Sequence, residues 1–297
     1  MIKNLAPIVL FVYNRPWHIQ QTLDALQKNQ LASESELFIY SDAAKNNAEK
    51  ASVVEVRELI KKVTGFKKVT VIERDKNWGL AASIIDGVTT IVNQYGTIIV
   101  LEDDLVTSPY FLKYLNDGLN SYKDIESVAS IHGYIYPING LPSSFFIKGA
   151  DCWGWGTWKR AWDIFDPDGQ KLLNELQSRK LEKEVNFNGS YLYSEMLKDQ
   201  INGKNDSWAV RWYMSAFLQN MLTLYPGQSY VQNIGNDDSG THCGTSDLYS
   251  GELNYTDVYP VKIIEDAESR KKIEDFFNSI KRSYFKILMA KIKCYLR

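Results

Sequence analysis

The sequence predicts an α/β protein, a mostly parallel sheet flanked by helices on both faces. Three observations predict it. Short β-favouring runs alternate with segments of helical periodicity through the first half of the chain. The run Thr97-Ile98-Ile99-Val100-Leu101 is apolar or β-favouring throughout, as in a strand covered on both faces. Polar clusters follow four of the runs at once: Asn14-Arg15, Ser41-Asp42, Arg74-Asp75-Lys76-Asn77 and Glu102-Asp103-Asp104. In parallel sheets ligands bind beyond the carboxyl ends of the strands, so all four clusters should line one rim. Singly, each also reads as ordinary loop polarity.

The elements follow in order. Residues 7–13 read as a strand, and Pro16 suits a first helical turn ahead of Ile19, Leu23 and Leu26. Residues 37–40 are the second strand. Residues 51–63 carry Val53, Val56, Leu59, Ile60 and Val63 at amphipathic spacing. Residues 68–72 and 97–101 read as strands on either side of a helix over 80–92. Ser108-Pro109 opens a helix to about Tyr122, and residues 128–131 form a fifth strand. Such βαβ alternation implies right-handed crossovers and helices on both faces.

The second half changes character. Residues 151–162 interleave four tryptophans with two glycines, a segment read either as a hydrophobic core element or as aromatic faces for sugars. Residues 168–206 are polar, helical and looped. Residues 207–224 read as one buried helix, and residues 235–244 as a loop that places two carboxylates near His242. The organisation expected is a ligand-binding half at 1–150, a second half of the same domain at 151–260 and a helical tail at 261–297.

Length and composition fit one large or two small domains, with 44% hydrophobic and 24% charged residues. A net charge of −2 gives no support to nucleic-acid binding. Three widely spaced cysteines without CxxC spacing suggest neither zinc nor redox chemistry and fit a reducing compartment. No signal peptide or membrane-spanning run is visible, so a cytoplasmic protein is expected. Residues 281–297 hold six basic side chains and no acid. With Phe277, Ile280, Tyr284, Ile287, Leu288, Ile292 and Leu296 they read as a basic amphipathic helix. It suits either the inner face of an anionic membrane or packing on the domain.

The chemistry concentrates at Glu102-Asp103-Asp104. Three adjacent carboxylates at a strand tip repel one another and lose hydration when shielded. A hard cation such as Mn²⁺ or Mg²⁺ relieves both costs and would bind a diphosphate as well. The plain alternative is a solvated turn before a helix. No GxGxxG and no GxxxxGK[ST] is present, so dinucleotide and P-loop readings lose their sequence support.

A strand ending in Glu-Asp-Asp, downstream of Phe-Val-Tyr-Asn-Arg-Pro, Tyr-Ser-Asp and Arg-Asp-Lys-Asn-Trp-Gly-Leu, resembles a GT-A glycosyltransferase. The resemblance is to bacterial family-2-like enzymes and to the N-acetylglucosaminyltransferase I group, over about residues 5–245. It implies a GT-A, Rossmann-like fold and a nucleotide-sugar donor, usually UDP-linked. It further implies Asn14, Arg15, Asp42, Arg74 and Asn77 in the donor pocket, with Glu102 and Asp103 on ribose or sugar. Asp104 and His242 would ligate Mn²⁺ or Mg²⁺, and Asp206 would be the catalytic base of an inverting transfer. Trp153 and Trp155 would stack on saccharide, with Asp238 on acceptor hydroxyls. From the residues alone, Asp206 also reads as a helix N-cap and His242 as a hydrogen-bonded loop residue. The family's common Asp-x-Asp is Glu-Asp-Asp here. Surface polysaccharide or lipopolysaccharide assembly on a glycan or lipid-linked acceptor is what the resemblance and the basic tail together imply. A nucleotidyltransferase and a carbohydrate-binding module without turnover are the rival readings.

Overall fold

The computed structural model describes residues 5–237, 247–257 and 261–295, with side chains of the last helix through Lys281. The four expected N-terminal strands form: β1 (Ile8–Val12), β2 (Glu36–Ser41), β3 (Lys68–Glu73) and β4 (Thr97–Glu102). Between them lie α1 (Pro16–Leu26), α2 (Lys50–Ile60) and α3 (Leu80–Tyr95). α1 starts with its proline, as the sequence predicts, and α3 stops at Gly96 in a left-handed conformation, φ 80°. After the short β5 (Leu105–Thr107) come α4 (Phe111–Ser121) and β6 (Val128–His132).

The later elements are β7 (Ser144–Lys148), β8 (Trp155–Trp158), α5 (Lys159–Trp162), α6 (Gly169–Ser178), α7 (Glu182–Val185), α8 (Tyr193–Ile201), α9 (Trp208–Leu218), β9 (Leu222–Pro226), β10 (Val231–Asn233) and α10 (Ala267–Tyr295). Among the described residues one eight-stranded sheet runs β3-β2-β1-β4-β8-β6-β9-β7, and β5 pairs with β10 beside it. β1 to β4 are mutually parallel, and β6 is parallel to β9. β8 is antiparallel to both β4 and β6, and β7 is antiparallel to β9. This is the Rossmann-like, mostly parallel α/β architecture that the sequence predicts.

Helices cover both faces. Gly87 of α3 sits on the rings of Phe11 and Tyr40, and Trp162 of α5 reaches Thr89 of α3 at 2.9 Å. α9 joins them through Trp155, whose ring stacks on Trp208 at 5.7 Å. Gly156, one residue on and so on the opposite face, meets Leu119 of α4. A second apolar cluster joins β7 and β9 to α6, α8, α9 and the start of α10.

Two expectations are corrected. The helix read over 207–224 ends at Leu218, because Asn220 adopts a left-handed φ of 60° and Leu222–Pro226 then continues as β9. A buried strand and a buried helix are both wholly apolar, so periodicity did not separate them. β7 and β8 also escaped the sequence reading. The final helix begins at Ala267 within the tail expected at 261–297, and Phe277, counted among the apolar residues read for either membrane contact or packing on the domain, is 3% exposed and packs on Phe187 and Tyr191. No helix of the described residues is long and apolar enough to cross a membrane.

Candidate active site

The register brings the four polar clusters to one rim. Val12 pairs with Ser41, Ser41 with Glu73, and Phe11 with Glu102. Parallel strands that stop at a common level deliver their next residues side by side, so Asn14-Arg15, Asp42, Arg74-Asn77 and Glu102–Asp104 emerge together. Two more groups reach the same edge. β8 runs antiparallel to β4, so the residues before it, Asp151 to Trp153, lie at this rim. α9 leads directly into β9, which is parallel to β6 and starts at the far edge, so α9 begins at the rim and carries Asp206 there.

At the tip of β4 the acids are gripped from within. Arg15 Nη2 donates to Asp103 Oδ1 and, at 2.9 Å, to Asp104 Oδ2. Burial opposes the charge on Arg15, but the two carboxylates outweigh it and hold the guanidinium protonated. Burial likewise pushes Asp103 up, against the pull of Arg15. Glu102 rises to about 8 through burial and then through the charges of Asp104 and Asp103. Ile234 N–H donates to the Asp104 carbonyl at 2.9 Å, and a Cβ on Gly235 would lie 2.2 Å from Asp104 Oδ2. With no side chain at Gly235, the segment after β10 closes directly against the acids. His18 Nε2 meets Asp237 Oδ2 at 3.1 Å and ties that segment to α1.

The donor chemistry at this point suits a divalent cation. Oxygens of two adjacent carboxylates converge on one guanidinium nitrogen, and Arg15 Nη1 is buried without a partner among the described residues. Hard oxygen ligands fit Mg²⁺ or Mn²⁺. The pair is incomplete by itself: no group of three or more potential ligands exists among the described residues. His242 and Asp238 lie outside the described residues.

On the β2–β3 side Asp42 is a staple. Its carboxylate accepts from Ala43 N at 2.9 Å, Trp78 N at 2.9 Å, Gly79 N at 2.9 Å and Asn77 Nδ2 at 3.1 Å. It thus fixes the turn that starts α3, a role added to the one implied by the resemblance. Arg74 pairs with Asp86 of α3 and lies 3.9 Å from the centroid of the Trp78 ring, which is 37% exposed. Asn14 is partly exposed between these groups and the acids. Asp42→Ala would strand several amide donors and is expected to cost about 3 kcal/mol of stability. Urea unfolding checks this; a loss under about 0.5 kcal/mol would show that the turn holds without the carboxylate.

The acceptor side departs further from expectation. Trp155 is 0% exposed, enclosed by Trp162, Trp208 and Trp212, and offers no face to a saccharide. Trp153 is partly exposed. Asp206 is not the helix cap: Ser207 takes that place, its hydroxyl accepting from Val210 N at 3.2 Å. The Asp206 side chain is 75% exposed and lies 3.3 Å from Arg211 Nη2. Asp151, His18 and Trp78 are the rim residues that sequence reading missed. Asp151 sat unremarked beside the tryptophan segment, where a lone carboxylate carries no pattern.

Residues 8–159, just over half of the chain, match the profile of glycosyl transferase family 2. Among solved structures, S. aureus TarS 1–349 is 12% identical over 79% of this chain and 62% of that one, with a TM-score of 0.42. The same TarS fragment in complex with UDP-GlcNAc is 13% identical over 77% of this chain and 58% of that one, TM-score 0.39. The mannosyltransferase PcManGT from Pyrobaculum calidifontis, in complex with GDP-Man and Mn²⁺, is 13% identical over 46% of this chain and 37% of that one, TM-score 0.33. The chain therefore spans less than two thirds of the length of each of these proteins. No curated protein matches.

Proposed function

This chain belongs to glycosyl transferase family 2, and we propose that it moves a sugar from a nucleotide donor, UDP-linked in the first instance, to a hydroxyl of a glycan or lipid-linked acceptor, with inversion. One observation carries the reading. The register of β1 to β4 sets Asp42 with Arg74 and Asn77, the Arg15 guanidinium and a pair of carboxylates along one continuous edge in a family-2 chain.

Asp104 is the residue that would hold Mn²⁺ or Mg²⁺, with His242 as the further ligand implied by the resemblance and Asp103, bonded to Arg15, kept on the donor side. The cation would supply Lewis-acid neutralisation of the departing diphosphate. Arg15, shared between the two acids, has a nitrogen left to turn toward phosphate oxygens. Asn14, Arg74 and Asn77 shape the nucleoside end, with the Trp78 ring as a flat surface beside Arg74. Glu102, at the end of β4, is the acid placed on a ribose or sugar hydroxyl. Asp206 takes the proton of the acceptor hydroxyl as its oxygen bonds to the anomeric carbon. The bond from that carbon to the phosphate oxygen breaks, and its electron pair leaves with the nucleoside diphosphate. Attack opposite the leaving group inverts the centre. Kinship with the N-acetylglucosaminyltransferase I group in particular rests on the resemblance of the N-terminal motifs, Glu-Asp-Asp among them.

A thermal-shift panel of nucleotides and nucleotide sugars with Mn²⁺ tests the assignment. At about 100-fold excess over Kd, UDP or a UDP-sugar should raise Tm by about 5 °C. A panel in which glycans alone shift Tm would replace the transferase reading with a binding module.

A further inference from the structure

We propose that Asp151 and Trp153 form a subsite for a hydroxyl-bearing pyranose ring of the acceptor. The inference rests on the transferase reading above and names the chemistry recognised on its acceptor side.

The backbone builds the site deliberately. Gly149 adopts φ 98°, and a Cβ there would lie 2.4 Å from the Tyr213 ring, so the chain turns under a tyrosine where no side chain fits. That turn places Asp151 at the rim, with both carboxylate oxygens engaged from below. Tyr193 OH donates to Oδ1 at 3.2 Å and Tyr225 OH to Oδ2 at 2.8 Å. Both tyrosines are buried, while Asp151 itself is partly exposed. No cation pairs with it among the described residues. A carboxylate has about four lone-pair sites, so roughly two remain for outside donors. Burial pushes Asp151 up and the two hydroxyls pull it back. A desolvated carboxylate held by neutral donors is costly unless something further hydrogen-bonds to it.

Trp153 supplies the second half. Its N–H donates to His132 Nε2 at 3.0 Å, and its ring packs edge-on against Tyr134 at 4.7 Å. Unlike Trp155 it keeps part of its surface open. A flat aromatic face accepts the C–H face of a pyranose, and an adjacent carboxylate accepts its hydroxyls. The location is also apt. Val100 pairs with Trp155 in antiparallel register, so the residues that lead into β8 lie on the same rim as the end of β4 and its acids.

Saturation-transfer difference NMR on the full chain tests this, with UDP as internal reference and a panel of methyl pyranosides (glucoside, galactoside, mannoside and N-acetylglucosaminide). At least one pyranoside should receive saturation from the parent protein. Asp151→Asn should weaken it about ten-fold or more while the UDP signal holds. Trp153→Ala, a change at a partly exposed ring, should do the same. An unchanged pyranoside signal in either variant overturns the proposal, as does a panel in which none binds while UDP does. Loss of the UDP signal from the parent protein strikes instead at the transferase reading.

Discussion

Asp206→Asn is expected to lower turnover by about 10²- to 10⁴-fold while leaving UDP affinity within about two-fold of the parent, the signature of a lost general base. The structure makes the experiment clean. Asp206 is 75% exposed and its ion pair with Arg211 is long, at 3.3 Å. Exposed pairs of this kind contribute at most about 1 kcal/mol, so the fold should scarcely register the change. The helix cap is untouched because Ser207 provides it. Steady-state kinetics with a UDP-sugar, paired with calorimetric UDP binding, separates the two readouts. Near-normal turnover eliminates Asp206 as base. A product with retained anomeric configuration, read from its NMR coupling constants, ends the inverting mechanism as well.

The second large effect lies at the other end of the reaction. Asp104→Ala should abolish the part of donor affinity that depends on Mn²⁺. The loss should be at least the roughly 100-fold that removing a mere outer-shell partner of a metal can cost. Calorimetry of UDP with Mn²⁺ and with EDTA measures it. In the parent the two titrations should differ; in the variant they should coincide. Arg15 keeps its bond to Asp103 in the variant, so the guanidinium remains anchored and the comparison isolates one carboxylate. Donor affinity that stays at parental strength, with the same response to EDTA, would overturn the metal assignment.

The rim of β1 to β4 was legible because its signals are local. A proline opens α1, an apolar run ends in acids at β4, and parallel register does the rest. The acceptor half was less so. Trp155 and Trp153 are two residues apart and look alike in sequence. Period-two alternation in a strand would put them on one face, yet one is sealed between α5 and α9 while the other stays at the rim. The difference is that β8 begins only at Trp155, after Gly154 turns the chain with φ 66°. Asp206 was singled out on the resemblance, and the capping role of its neighbour could not be ranked beforehand, since aspartate and serine cap about equally well. Asp151 needed tertiary structure, because its two tyrosine partners come from 42 and 74 residues away.

β8, threaded antiparallel between β4 and β6, welds the strands on its two sides into a single hydrogen-bonded plate. Such a plate leaves no crease about which a donor lobe and an acceptor lobe could shut like a book. Access, exclusion of water and release of the spent nucleotide must then be the business of the connecting segments above the plate, and selection for new substrates can act on those segments without disturbing the spacing beneath them.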